Sequence, residues 1–140
     1  MRPPAYQIAI VVALLVGIVI AALLVTRKVG KSLDSFLAER GLAKAGDCPA
    51  IQIDGRALEG VSCYRGAIAP SRPGVFFIGH FKQVGGYRRY LGVQLASAPA
   101  SFGSLPPAYS HNDGGVTTIA WIMNATRDNA ERVLDVVAQP

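Results

Sequence analysis

The chain predicts an α+β protein. An N-terminal transmembrane helix leads into a small domain, in which a mainly antiparallel sheet of about five strands lies between a juxtamembrane helix and a C-terminal helix. Three observations lead to this class. An apolar segment runs without interruption from Ile8 to Val25. After about residue 50, short apolar or alternating runs are separated by glycine-rich turns. The last dozen residues return to helical spacing.

The segment Ile8–Val25 holds eighteen residues without a polar side chain. At about 1.5 Å per residue such a helix spans ~27 Å, close to the hydrocarbon thickness of a bilayer. Tyr6 suits the headgroup level, and Pro3-Pro4 keeps the extreme N-terminus out of the helix. A chain of 140 residues is too small to surround such a segment inside a soluble core. A cleaved signal peptide would have a shorter apolar stretch ending in an A-x-A-like site, whereas this one ends in Val-Thr-Arg-Lys. The layout resembles that of type IV pilins, but their glycine cut site followed by glutamate is missing. The reading is therefore a retained signal anchor, with the lipid bilayer as its partner. The organisation follows: tail 1–7, transmembrane helix 8–26, juxtamembrane helix 27–45 and globular α+β domain 46–140.

In the juxtamembrane stretch Val29, Leu33, Phe36 and Leu37 recur at helical spacing, with a hinge at Gly30 as an option. Gly41 followed by Leu42 reads as a helix stop near Arg40. Ile51–Asp54, a turn over Gly55–Gly60 and Val61–Ile68 read as strand, turn, strand. Gly74–Phe81 is a nearly continuous apolar run suited to a central strand. Tyr90–Ala96 alternates, with Leu91, Val93 and Leu95 on one face and Tyr90, Gly92 and Gln94 on the other. Between these two strands, Gln83-Val84-Gly85-Gly86 supplies a tight turn. Ser97–Gly115, rich in Ser, Pro and Gly, reads as a long surface loop, and Val116–Met123 as the last strand. A helix from Arg127 to Ala138 closes the chain. Thr126 caps it, Asp128 complements its dipole, and Ala130, Val133, Leu134 and Val137 form its buried stripe.

Charge argues against a nucleic-acid partner. The net +5 is concentrated near the apolar segment, since residues 1–40 carry +3 and the remaining hundred only +2. Cations flanking a bilayer meet anionic headgroups, whereas a nucleic-acid footprint needs them clustered on the folded domain.

Two arguments on orientation oppose each other. Arg27, Lys28 and Lys31 follow the span and favour a cytoplasmic domain, although long domains translocate largely regardless of flanking charge. Cys48 and Cys63 favour the other side. Folding the expected strand–turn–strand unit brings them together, and a bridge closing a loop of about 15 residues is worth ~3 kcal/mol. Such bonds persist in oxidising compartments. The expectation is thus a single-pass protein of the cell (inner) membrane with a disulfide-bonded, periplasmic domain, the cytoplasmic face being the alternative.

No phosphate-binding loop, nucleophile elbow or zincin motif is present in the sequence. His111, in Ser110-His-Asn-Asp113, has the right side chain for a general base, but adjacent residues seldom point at one another as a triad does. His80 falls in an apolar run, and positions 48, 63, 80 and 111 match no compact zinc spacing. No catalytic residue, cofactor or metal is expected. Lys82, Tyr87, Arg88, Arg89 and Tyr90 surround the glycine turn and form the candidate binding surface. The expected function is a membrane-tethered, non-enzymatic accessory module of the cell envelope that binds protein partners near the bilayer. The alternatives are a small membrane-anchored enzyme with a site in Ser97–Gly115, and a cytoplasm-facing domain touching lipid headgroups through Lys82–Tyr90.

Overall fold

Helix α1 runs from Ala5 to Glu39 in the computed structural model, which describes residues 4–70 and 72–140, with residues 24–32 described by backbone alone. Residues 1–3, including the expected Pro3 helix breaker, and the side chains of Arg27, Lys28, Val29 and Lys31 lie outside that description. Contacts divide the chain into two units, 1–32 and 33–140. In the first, Ala5–Leu23 is long and apolar enough to cross a membrane, and none of it is buried. Such a helix fits a membrane anchor or a signal sequence.

The second unit begins with the last turns of α1, where Phe36 and Leu37 are buried. The helix stops as its sequence dictates. Gly41 takes a φ of 83°, which glycine adopts without steric cost, and the Leu42 amide donates back to the Leu37 carbonyl at 2.8 Å. Leu42 then folds into the core, so the helix ends at Glu39 rather than extending toward 45.

Among the described residues eight strands follow: β1 (Ala43–Lys44), β2 (Gln52–Ile53), β3 (Arg56–Ala57), β4 (Glu59–Ala69), β5 (Arg72–Gln83), β6 (Gly86–Leu95), β7 (Tyr109–Asp113) and β8 (Val116–Ile122). Six of them form one antiparallel sheet in the order β1-β4-β5-β6-β8-β7, while β2 and β3 form a separate small hairpin. The α+β class holds.

Strand alternation gives the sheet two apolar faces. On one, Tyr64, Phe76, Leu91, Val93, Ile119 and Trp121 pack with Phe36, Leu37 and helix α2 (Arg127–Val137). The α2 residues buried there are the expected Ala130, Val133, Leu134 and Val137, and the Thr126 hydroxyl accepts from the Asn129 amide. Arg72 donates to the Val137 and Gln139 carbonyls, joining the start of β5 to the end of α2. The Tyr64 hydroxyl donates to the Asp34 carboxylate at 2.6 Å. Burial, reinforced by that carboxylate, pushes the phenol well above its ordinary range.

The opposite face carries Cys63, Val75, Phe77, Tyr90 and Ala120 under a cover of Ile51, Ile53 and Leu58. That cover is a strap, residues 45–58, with the β2–β3 hairpin in its middle. Ile51–Asp54 therefore does not pair with Val61–Ile68 as expected, because β4 is flanked by β1 and β5. Instead the chain reverses at Asp54-Gly55, both with positive φ, as a two-residue hairpin turn requires. The Ser97–Gly115 stretch also differs from expectation. Its end, Tyr109–Asp113, is an edge strand, where polar side chains are tolerated because much of the strand faces water. The stretch before it packs down, with the Leu105 carbonyl accepting the buried Trp121 indole N–H at 2.8 Å.

Candidate functional site

Three features of the second unit carry the expected site residues or gather polar groups. The first is the Cys48–Cys63 disulfide, which joins the strap to the central part of β4 with a Cα separation of 5.6 Å. Cys63 is fully buried on the strap side. The bond is made across the face of the sheet, not between paired strands, so the right pairing emerged from an incorrect local topology.

The second is the β5–β6 ribbon. The last strand neighbours of the pair are Glu59, opposite His80, and Ile122, opposite Tyr90. Beyond them Phe81↔Arg88, Lys82↔Tyr87 and Gln83↔Gly86 continue as two strands alone. At the tip Val84 is fully exposed, with Gly85 and Gly86 at positive φ. Opposed residues share a face, which puts Lys82, Tyr87, His80 and Arg89 on the helix side and Arg88 on the strap side. The Tyr87 ring meets the His80 ring edge-on at 5.0 Å, and His80 Nε2 lies 4.0 Å from the Glu59 carboxylate. Among the described residues, Lys82, Arg88 and Arg89 have no acidic partner. Arg88 and Arg89, with Tyr87, Ile122 and Met123, line a notch of about 420 Å³.

Tyr90 does not belong to this surface. It is 6% exposed and its ring lies edge-on to Phe81 at 5.2 Å. The two-residue strand period that exposes Arg89 turns Tyr90 inward toward the strap. Val84 and Ile122 take its place as exposed apolar groups. Val84 was legible beside the glycines, but Ile122 is displayed only because β8 ends there.

The third is a groove of about 640 Å³ on the strap side, between the β2–β3 hairpin and the β7–β8 end of the sheet. Register places Gln94, Thr118 and His111 in one row across β6, β8 and β7. The neighbouring row under the strap is Phe77, Gly92, Ala120 and Tyr109. Within one row the face thus changes from apolar to polar. Gln94 donates to the Thr118 hydroxyl at 3.0 Å, while Asp54 and Asp113 stand at the walls. His111 lies 6.3 Å from the Tyr109 ring, and its side chain makes no hydrogen bond or ion pair among the described residues. The Ser110-His-Asn-Asp113 stretch being a strand, Ser110 and Asn112 point to the face opposite His111. Among the described residues no three His, Cys, Asp or Glu are grouped as metal ligands.

Compared with known protein families, with curated proteins and with solved structures, the chain matches none of them.

Proposed function

We propose that this chain is a membrane-tethered, non-enzymatic interaction module of the cell envelope, whose β5–β6 ribbon docks on an acidic protein surface close to the bilayer. The apolar helix is retained as a single-pass anchor in the inner membrane, and the domain lies on the extracytoplasmic side. The observation that carries this reading is the ribbon. Among the described residues, Lys82, Arg88 and Arg89 stand without acidic partners around the exposed Val84 and Tyr87, on two strands that outrun their neighbours. Basic groups around an exposed apolar centre are the composition of a polar-rimmed protein contact. The Cys48–Cys63 bond supports the oxidising side of the membrane.

The test is photocrosslinking in intact membranes from position 84 of the full-length chain. The expected result is a protein adduct that is lost with Arg88→Glu plus Arg89→Glu and is absent when the probe sits at Gln139. Adducts with lipid alone would reassign the ribbon to headgroups, and no specific adduct would end the reading. Orientation is read separately. An impermeant thiol reagent applied to intact cells should label Cys48 and Cys63 only after reduction; labelling only after lysis would place the domain in the cytoplasm.

A further inference from the structure

We infer that the Cys48–Cys63 bond is a redox-sensitive lock on the β5–β6 ribbon: reduction by a dithiol loosens the strap, and with it the base on which the ribbon stands. The inference concerns regulation of the docking surface proposed above, and its functional consequence rests on that reading.

Two strands without neighbours are marginally stable in water, so the ribbon depends on what holds its base. That base is Phe81 and Tyr90, 9% and 6% exposed, whose rings meet edge-on at 5.2 Å. Both pack in one cluster with Ile51, Ile53 and Leu58 of the strap. The approach is close: a Cβ added at Gly79, two residues before Phe81, would stand 3.1 Å from both Cβ and Cδ1 of Leu58. At the tip of the strap, Ile53, Asp54 and Arg56 line a cavity of about 260 Å³ together with Phe81, Gln83 and Tyr90 of the ribbon. On the other face of the ribbon Lys82, Tyr87 and Arg89 are exposed, so the strap is what covers its base.

The lock lies where a reagent can reach it. Cys63 is fully buried, but Cys48 is only half-buried. The Arg65 guanidinium donates to the Asp47 carbonyl, which also lies 3.4 Å from Cys63 Sγ. A cation that near favours the thiolate form of a departing sulfur. One thiolate of the dithiol attacks the Cys48 sulfur, the S–S bond breaks, and the Cys63 sulfur leaves and takes up a proton. The second thiolate of the reductant then displaces Cys48, which is protonated in turn. Two electrons and two protons pass to the protein, and the dithiol ends as its own disulfide. The strap keeps its short ladder, the Ala45 and Leu58 amide bonds and its apolar contacts, and it opens more often.

The test is amide hydrogen exchange of the full-length, isotope-labelled chain in detergent micelles, oxidised and after reduction with dithiothreitol. Amides of residues 50–58 and 81–90 should exchange about tenfold faster on reduction, while those of 130–137 keep their rates. Cys48→Ser with Cys63→Ser should reproduce the fast pattern and no longer respond to the dithiol. Leu58→Ala leaves the bond intact and should speed exchange in the ribbon of the oxidised chain. Acceleration confined to the strap, equal acceleration in α2, or a bond that dithiothreitol leaves intact in the folded chain would each overturn the inference. Crosslinking from position 84, repeated with and without the dithiol, separates this inference from the docking reading. The protein adduct should fall on reduction, and an unchanged adduct would overturn the regulatory role. No adduct in either state, with ribbon exchange still tied to the disulfide, would end the docking reading and leave the lock standing.

Discussion

The two faces of the sheet are closed by different means. On one, Phe36 and Leu37 from α1 and the stripe Ala130, Val133, Leu134 and Val137 from α2 cover Phe76, Val93 and Ile119. A helix satisfies its own backbone hydrogen bonds, so it can be laid on a sheet as a preformed slab. The other face is covered by the strap, held by a four-residue ladder and the Leu58 amide to Ile51 carbonyl bond within it, by the contacts of Ile51, Ile53 and Leu58, and by two ties to β4, the Ala45 amide donating to the Cys63 carbonyl and the Cys48–Cys63 disulfide. The strap also stops short. Beyond the Phe77–Ala120–Tyr109 row the face is polar and open, and there the groove lies. The comparison teaches that a cover with little regular structure gains from a covalent tie, and that where the cover ends the sheet face lies open to solvent.

The sharpest way to break this contrast is to cut one large side chain from each face. Phe76→Ala and Phe77→Ala remove neighbouring, fully buried rings, so each should cost about 4 kcal/mol in denaturant unfolding of the micelle-embedded chain. They should differ in where hydrogen exchange speeds up: in α2 for the first, in 45–58 for the second. Identical exchange patterns would mean that the faces open together.

Reduction of Cys48–Cys63, or Cys48→Ser with Cys63→Ser, should cost about 3 kcal/mol by the loop-entropy argument. It should free the strap while leaving α2 protected. Loss of protection in α2 at the same denaturant concentration would show that the strap is not a separate cover.

Tyr64→Phe probes the helix face alone. It removes the hydroxyl bonded to Asp34 at 2.6 Å and should cost about 1 kcal/mol, because Asp34 is exposed and regains water. The folded-state pKa of Tyr64 is raised. Its contribution is thus complete below the ordinary phenol value of about 10 and is lost as pH climbs from there toward the folded-state value. The stability difference between wild type and Tyr64→Phe should therefore be constant near neutrality and shrink above about pH 10. A flat difference to higher pH would contradict the buried, bonded phenol. The smallest effect is expected from Thr126→Ala, about 1 kcal/mol or less, from loss of the cap to the Asn129 amide on an exposed helix end. Its exchange signature should stay within the first turn of α2.

Local signals carried a good part of this. The apolar span, the Gly41-Leu42 stop, the alternation of Tyr90–Leu95 and the buried stripe and cap of α2 all follow from spacing of 3.6 or 2 residues and from the few residues that suit helix ends. The surface around Lys82, Tyr87, Arg88 and Arg89 was legible as cations and an aromatic around a glycine turn. Tyr90, beside these residues in sequence, lies inside instead, because a cluster in sequence says nothing about which face a strand residue takes until the register is known. The strand Tyr109–Asp113 was hidden, since the polar, turn-prone residues an edge strand tolerates look like loop.

By itself the sequence determined which segment avoids water, where the two helices start or stop, and which side chains can fill a core, because each of these depends on residues within one or two turns of each other. Only the tertiary structure decided that the strap crosses the sheet face instead of joining it. It also decided that the disulfide ties cover to sheet, and that Asp54, Gln94, Asp113 and Thr118 meet in one groove. Those groups are far apart in the chain, and their meeting depends on which strands pair and in what register. That choice is made by the whole set of buried contacts at once, and no local stretch encodes it.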